Sequence, residues 1–90
     1  MICKAVRVTG RVQGVFYRAS TKTKAQTLGL KGWVKNEQDG SVKMQIEGDE
    51  DKINQMIDWC HQGPSQASVD KVEVVDEELR GYETFEVRYF

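Results

Sequence analysis

The sequence predicts an α+β fold of order βαββαβ plus a short C-terminal strand, with two helices on one face of an antiparallel sheet. Two observations lead to this prediction. Along the chain, the spacing of apolar residues switches between the alternation of a strand and the three-to-four spacing of a helix. Glycines fall near the ends of the segments so defined. Because 90 residues suffice for one core, a single domain is predicted over residues 1–90.

The first three predicted elements are a strand, a helix and a second strand. Residues 2–9 alternate loosely between apolar and polar side chains, which predicts a strand that ends at Gly10. A helix is predicted from about residue 16 to residue 28, since four residues recur at helical spacing: Tyr17, Thr21, Ala25 and Leu28. Gly29 is a natural left-handed cap for this helix, and the second strand follows over residues 30–36.

A hairpin and a second helix make up the middle of the chain. Residues 38–40 predict a tight turn because Asp-Gly favours positive φ. The alternation over residues 42–47 predicts a third strand with one buried face. The second helix carries apolar residues at i, i+3, i+4 and i+7: Ile53, Met56, Ile57 and Cys60. Acidic residues 49–51 stand where the dipole of this helix favours negative charge.

Two more strands follow the second helix, which Gly63-Pro64 ends. Valines 69, 72 and 74 mark the fourth strand, and the alternation over residues 85–89 marks a short fifth strand. Two helices packed on one sheet in this order form a ferredoxin-like sandwich. In that fold Cys3 and Cys60 lie at opposite ends, whereas a disulfide needs Cα atoms within about 7 Å. Two free thiols are therefore expected, which agrees with a reducing compartment.

Composition and charge exclude several classes of function. The net charge is −1 and both signs are mixed along the chain, without the basic stripe of a nucleic-acid partner. No segment approaches the roughly 20 apolar residues that cross a membrane. The charged N-terminal residues lead us to expect no signal peptide. The lone His61 and the two cysteines lack the spacing of a zinc site. A cytoplasmic monomer without metal, nucleic-acid or membrane partners is expected.

The segment from Gly10 to Arg18 is the candidate binding site of the chain. It joins a strand to a helix, where unpaired N–H groups and the helix dipole favour an anion. Gly14 permits close approach of a ligand, and the planar guanidinium of Arg18 matches phosphate oxygens. The segment is neither a P-loop nor a dinucleotide fingerprint, because it lacks Gly-Lys-Ser/Thr and a third glycine. From local physics alone, an anion pocket and a plain turn with a surface arginine are equally open.

Two runs of sequence resemble the signatures of the acylphosphatase family. Residues 8–18 (Val-Thr-Gly-Arg-Val-Gln-Gly-Val-Phe-Tyr-Arg) resemble the first signature. Residues 28–36 (Leu-Gly-Leu-Lys-Gly-Trp-Val-Lys-Asn), followed by Asp-Gly-Ser-Val at 39–42, resemble the second. Shorter similar segments extend the resemblance over nearly the whole chain. The resemblance implies the ferredoxin-like fold already predicted from periodicity.

The resemblance also implies an activity and a set of site residues. The activity is hydrolysis of acyl phosphates to a carboxylate and inorganic phosphate, without metal, cofactor or covalent phospho-enzyme. Arg18 and Asn36 correspond to the two catalytic side chains, and Asn36 is expected to place the attacking water. Six residues correspond to the backbone cradle for the phosphate: Gln13, Gly14, Val15, Phe16, Tyr17 and Arg18.

Two aromatic residues depart from the family pattern, and one alternative function remains. Tyr17 stands where the family usually has phenylalanine, and Phe16 stands where bacterial members often have glycine. Both are expected to pack in the fold, although Phe16 could also narrow the approach to the site. The alternative function is a non-catalytic anion- or small-ligand-binding ferredoxin-like module. The presence of both Arg18 and Asn36 argues against it, whereas the fold alone would not decide.

Overall fold

Five strands and two helices follow one another in the predicted order in the computed structural model, which describes residues 1–89. Phe90, the last residue of the predicted domain, lies outside the described residues. The elements are β1 Ile2–Arg11, α1 Tyr17–Thr27, β2 Lys31–Asn36, β3 Val42–Gly48, α2 Glu50–Cys60, β4 Ser68–Glu77 and β5 Phe85–Arg88. The predicted order βαββαβ plus a terminal strand is thereby confirmed.

The strands form one sheet in the order β4-β1-β3-β2-β5. The first four strands pair antiparallel, as predicted. β5 instead pairs parallel to β2, with Val87 opposite Val34. The prediction of an antiparallel sheet is therefore wrong for this last strand, and the sheet is mixed. β4 ends at the same end of the sheet at which β2 begins. Residues 78–84 cross this end of the sheet, so β5 starts there and runs in the direction of β2.

The core lies between the two helices and one face of the sheet. α1 buries Tyr17, Thr21 and Ala25, and α2 buries Ile53, Met56 and Cys60, as predicted. The other two predicted members, Leu28 and Ile57, are partly buried against the core, and Leu28 lies just after the end of α1. The central strands contribute the other side of the core: Val6, Val8, Val34, Val42, Met44 and Ile46. Burial of each such apolar side chain contributes about 1.5–3 kcal/mol. This shared core holds the ends of β1, β2 and α1 in fixed positions.

Residues 78–84, which cross one end of the sheet, are held by a buried carboxylate. Glu47 on β3 accepts hydrogen bonds from the backbone N–H groups of Arg80 (2.6 Å), Gly81 (3.1 Å) and Tyr82 (3.0 Å). Nearby, the Nε1–H of Trp33 donates to the hydroxyl of Tyr82 at 3.0 Å. Trp33 is thus buried beneath this segment. Because the segment is fixed in this way, the strand that follows it, β5, lies beside β2.

Both cysteines are free, as predicted, and both are buried. Burial raises the pKa of the Cys60 thiol to about 12. Burial, followed by the charges of Glu47 and Glu77, also raises the pKa of the Cys3 thiol. Thiols with raised pKa values are poor nucleophiles because little thiolate is present near neutral pH. The two cysteines therefore serve packing rather than chemistry.

Gly10 does not end β1, contrary to the prediction. The strand continues to Arg11, with a shift of its register against β4 between Thr9 and Gly10. Gly10 has a φ of 123°, and a Cβ on it would lie 2.3 Å from the carbonyl oxygen of Ser68. Glycine therefore allows an irregularity inside the strand instead of a stop. The two added residues of strand carry the chain to the start of the following loop.

Replacement of Gly10 by alanine is expected to lower the free energy of unfolding by about 3 kcal/mol, because strain and overlap with β4 add together. Gly81→Ala is the matched control, since Gly81 also has positive φ but open space around its Cβ position. Left-handed strain alone makes that control about 1 kcal/mol less stable. Urea unfolding of both variants measures the difference. Equal losses in the two variants would contradict the close approach at Gly10.

Candidate active site

The loop between β1 and α1, residues 12–16, is anchored in the core at two points. Val12 and Val15 are buried. Between and after them, Gly14 has a φ of 73° and Phe16 a φ of 65°. These two left-handed residues turn the chain sharply from the strand into the helix. A Cβ on Gly14 would meet no atom within 4 Å, so the backbone there is open to a ligand.

The backbone N–H groups of this region have no hydrogen-bond partners in the part of the chain that the structure describes. Among residues 1–89, none of the N–H groups from Gln13 to Arg18 donates a hydrogen bond, and the first bond of α1 runs from Ser20 N–H to Phe16 C=O at 3.0 Å. The first turn of α1 contains no acidic residue and no capping side chain. By contrast, Glu50 and Asp51 occupy the first turn of α2. The start of α1 is therefore a positively polarised site suited to an anion.

A cavity of about 280 Å³ lies beside these N–H groups. Its lining includes five of the predicted site residues: Gly14, Phe16, Tyr17, Arg18 and Asn36. The other two, Gln13 and Val15, do not line it. The two predicted catalytic side chains are thus brought together in one cavity, although 18 positions separate them in sequence.

Arg18 is half-buried in the first turn of α1. Its Cζ lies 4.9 Å from the centre of the Tyr89 ring, a cation–π contact. Within residues 1–89, no carboxylate forms an ion pair with Arg18. Its guanidinium is therefore held in place by a ring that leaves its hydrogen-bond donors available. The contact between Tyr89 and Arg18 depends on the parallel pairing of β5 with β2.

Asn36 is the last residue of β2, paired with Val42 of β3. Its side chain is half-buried, and its Oδ1 atom is buried without a hydrogen-bond partner among the described residues. An unsatisfied buried carbonyl oxygen is unfavourable by about 1–3 kcal/mol. A donor that enters the cavity would relieve this cost. The arrangement suits an amide that accepts a hydrogen bond from a water or a substrate.

A comparison with known proteins identifies this combination of fold and loop. The acylphosphatase family model matches residues 4–87. The chain belongs to the acylphosphatase family. An acylphosphatase of Acaryochloris marina is 46% identical over 87 residues, which cover 97% of this chain and 94% of the relative.

Solved acylphosphatase structures agree with this assignment. The structure of an acylphosphatase from Coxiella burnetii has a TM-score of 0.94 and 41% identity, and the match covers 97% of this chain and 92% of that one. The acylphosphatase from Bacillus subtilis has a TM-score of 0.96 and 32% identity, and the match covers 99% and 100% of the two chains. The predicted fold class and the predicted acylphosphatase enzyme are confirmed.

Gln13 connects the acylphosphatase loop to the hairpin that follows Asn36. Its side-chain Nε2 donates to the carbonyl oxygens of Glu37 at 2.8 Å and Ser41 at 2.9 Å. These two bonds tie the loop to the turn between β2 and β3, next to Asn36. The resemblance predicted a role only for the Gln13 backbone. The role of its side chain depends on a contact between distant segments, for which the sequence contains no local signal.

Tyr17 and Phe16 have opposite environments. Tyr17 is buried, its hydroxyl donates to the carbonyl oxygen of Cys60 at 2.8 Å, and its ring lies 5.4 Å from that of Trp59. The prediction that Tyr17 packs in the fold is confirmed. The same prediction for Phe16 is wrong, since its side chain is 73% exposed. The left-handed backbone at Phe16 interrupts the helical periodicity, and Val15 and Tyr17 take the neighbouring core positions.

Two structural features are absent from residues 1–89. No group of three or more His, Cys, Asp and Glu side chains is placed to hold a metal ion. No helix in this part of the chain is both long and apolar enough to cross a membrane.

The turn beyond Asn36 is stabilised by Asp39. The carboxylate of Asp39 accepts hydrogen bonds from the Ser41 hydroxyl at 2.6 Å and the Ser41 N–H at 3.0 Å, and it forms an ion pair with Arg7. The Ser41 hydroxyl, the Ser41 N–H and then Arg7 hold the pKa of Asp39 at about 2. The unfolded value is about 4. The ionised carboxylate therefore stabilises the fold above pH about 4, and this contribution is lost as the pH falls toward about 2.

Asp39→Asn is expected to lower stability at pH 7, and the difference from the wild type is expected to shrink as the pH falls from about 4 toward 2. Urea unfolding at several pH values measures it. Ser41→Ala is the matched control, since it removes the hydroxyl donor but keeps the carboxylate. Its stability relative to Asp39→Asn should depend less on pH than the stability of the wild type does. A wild-type advantage that stays constant down to pH 2.5 would contradict the assigned pKa.

Proposed function

We propose that this chain cleaves the carboxyl–phosphate bond of acyl phosphates by in-line attack of a water positioned by Asn36. The products are a carboxylate and inorganic phosphate. The observation that carries the proposal is the presence of Arg18 and Asn36 in one cavity, beside loop N–H groups that have no acceptor among the residues before Phe90. Membership of the acylphosphatase family supports the acyl phosphate as substrate.

The phosphate is held by the backbone N–H groups from Gln13 to Arg18 and by the guanidinium of Arg18. Negative charge spreads over the oxygens of a transferring phosphoryl group, and fixed donors stabilise it. The loop is held rigid before the substrate binds, because Val12 and Val15 are buried and Gln13 ties the loop to the neighbouring hairpin. Little reorganisation is therefore needed when charge develops in the transition state.

The leaving carboxylate needs no proton donor. Its conjugate acid has a pKa of about 4, so it departs as an anion near neutral pH. Among the described residues that line the cavity there is no Asp, Glu or His. This composition supports a reaction without a side-chain general acid. The positive charge of Arg18 meets the need for charge stabilisation, so we also propose that the reaction requires no metal or other cofactor.

Asn36 orients the nucleophile rather than activating it as a base. An amide does not take up a proton near neutral pH, but its Oδ1 accepts a hydrogen bond from the water. That bond directs a lone pair of the water toward phosphorus. The bond from the water oxygen to phosphorus forms as the bond between phosphorus and the bridging carboxyl oxygen breaks. The water proton passes to a phosphate oxygen of the substrate, so no base on the protein is needed.

We further propose a cytoplasmic monomer with one acylphosphatase domain over residues 1–90. The two free, buried thiols support a reducing compartment. The mixed charges and the net charge of −1 support the absence of nucleic-acid and membrane partners.

Arg18→Ala is expected to raise KM and the inhibition constant of inorganic phosphate about 10-fold or more, because it removes a charge-assisted contact of about 1.5–3 kcal/mol. Arg18→Lys should recover little, since the paired donors of the guanidinium are lost. Arg11→Ala is the control for general positive charge, because Arg11 is exposed and does not line the cavity. An unchanged inhibition constant for phosphate in Arg18→Ala would refute this role.

Asn36→Ala is expected to lower kcat about 100-fold with little change in KM, because the water loses its orientation. Asn36→Asp should lose as much, which distinguishes positioning from base catalysis. The measurement is benzoyl phosphate hydrolysis with a chelator present, with the exposed Asn54→Ala as the matched control. Near wild-type turnover by Asn36→Ala would sink the positioning role.

The same assay tests the wider proposal. If the chelator abolishes turnover, the metal-free reaction is wrong. If the wild type binds phosphate but hydrolyses no acyl phosphate, the non-catalytic anion-binding module is favoured instead.

A further inference from the structure

Phe16 combines two unfavourable features at the edge of the cavity. Its backbone is left-handed, with φ 65° and ψ 21°, and among residues 1–89 no other non-glycine residue has a positive φ. A bulky residue is strained in this region. Its side chain is also 73% exposed, so burial in the core does not offset the strain. Strained residues of this kind cluster at functional sites, where the strain presents a side chain to a ligand.

A second exposed aromatic ring lines the same cavity. Tyr89 is 77% exposed, and its ring contacts the guanidinium of Arg18. The rest of the apolar lining comes from Val12, Tyr17, Ala19 and Val87. Solvent-exposed rings at the rim of a polar cavity provide a surface for an apolar ligand group.

The division of the lining matches the two ends of an acyl phosphate. The proposed reaction uses Arg18, Asn36 and the loop N–H groups for the phosphoryl end. The acyl end is joined to it through one oxygen and must lie against the remaining, apolar lining. Arg18 is the one charged side chain among the described residues of the lining. A carboxylate, ammonium or second phosphate on the acyl group would therefore find no counter-ion there.

We propose that Phe16, together with Tyr89, binds the acyl group and makes the site selective for uncharged acyl groups that are aromatic or bulky and apolar. This inference rests on the proposed function and adds a specificity-determining residue to it. A benzoyl ring offers the two aromatic side chains a larger apolar surface than an acetyl group does. The side chain of Phe16 then selects the acyl group, whereas its backbone N–H binds the phosphate.

The test compares kcat/KM for benzoyl phosphate with kcat/KM for acetyl phosphate in the wild type and in Phe16→Gly, Phe16→Ala and Phe16→Tyr. The two substrates share the phosphoryl end, so a disturbance of the loop cancels in their ratio. The ratio of benzoyl to acetyl is expected to fall about 3- to 10-fold in Phe16→Gly and Phe16→Ala. It should stay at the wild-type value in Phe16→Tyr, which keeps the ring.

The pair of small variants separates the ring from the backbone. Glycine is unstrained at φ 65° and alanine is not, so an effect of strain would differ between them, whereas loss of the ring gives similar ratios. Leu79→Ala is the matched control, because Leu79 is also exposed and apolar but lies outside the cavity lining. Its ratio should equal that of the wild type.

Two results would overturn the inference: a wild-type ratio in both small variants, or a ratio in Phe16→Tyr as low as in Phe16→Ala. A wild type that turns over neither substrate would overturn the proposed function itself. The failure of the two proposals is therefore distinguishable.

Discussion

The unpaired backbone N–H groups at the start of α1 are the feature on which the rest of the site depends. From Gln13 to Arg18 they have no partner among residues 1–89, which is unfavourable unless an anion or water satisfies them. The fold keeps them unpaired by anchoring the loop at Val12 and Val15 and by placing no acidic residue in the first turn. Arg18 adds a full charge to the same region.

The sheet brings Asn36 to this candidate anion site. β1 and β2 both pair antiparallel to β3, on its two sides. They therefore end at the same end of the sheet, where the loop after β1 lies near the last residue of β2. Gln13 joins them through hydrogen bonds to the carbonyl groups of the turn after β2. Asp39 stabilises that turn from the other side. The distance between Asn36 and the loop is therefore set by strand pairing and by the side chains of Gln13 and Asp39, which have no role in the proposed reaction.

Two local predictions failed, and both failures concern backbone conformation at a single residue. Gly10 was expected to stop β1, but its positive φ lets the strand continue through an irregularity. Phe16 was expected to pack, but its left-handed φ directs the side chain outward. Hydrophobic periodicity assumes regular dihedral angles, so it cannot register a one-residue departure from them. The helices, whose apolar spacing runs over two to three turns, were predicted correctly because such a pattern averages over many residues.

The sequence by itself determined the order of elements, the buried faces of both helices, the free state of the cysteines and the family, through two signatures that are continuous in the chain. Only the tertiary structure decided that β5 runs parallel to β2, that Tyr89 lies over Arg18 and that the Gln13 side chain reaches the β2–β3 turn. These features depend on pairings between residues 24 or more positions apart. Local propensity and periodicity describe neighbours along the chain, whereas the direction of a crossing segment and the partner of a polar side chain are chosen by packing.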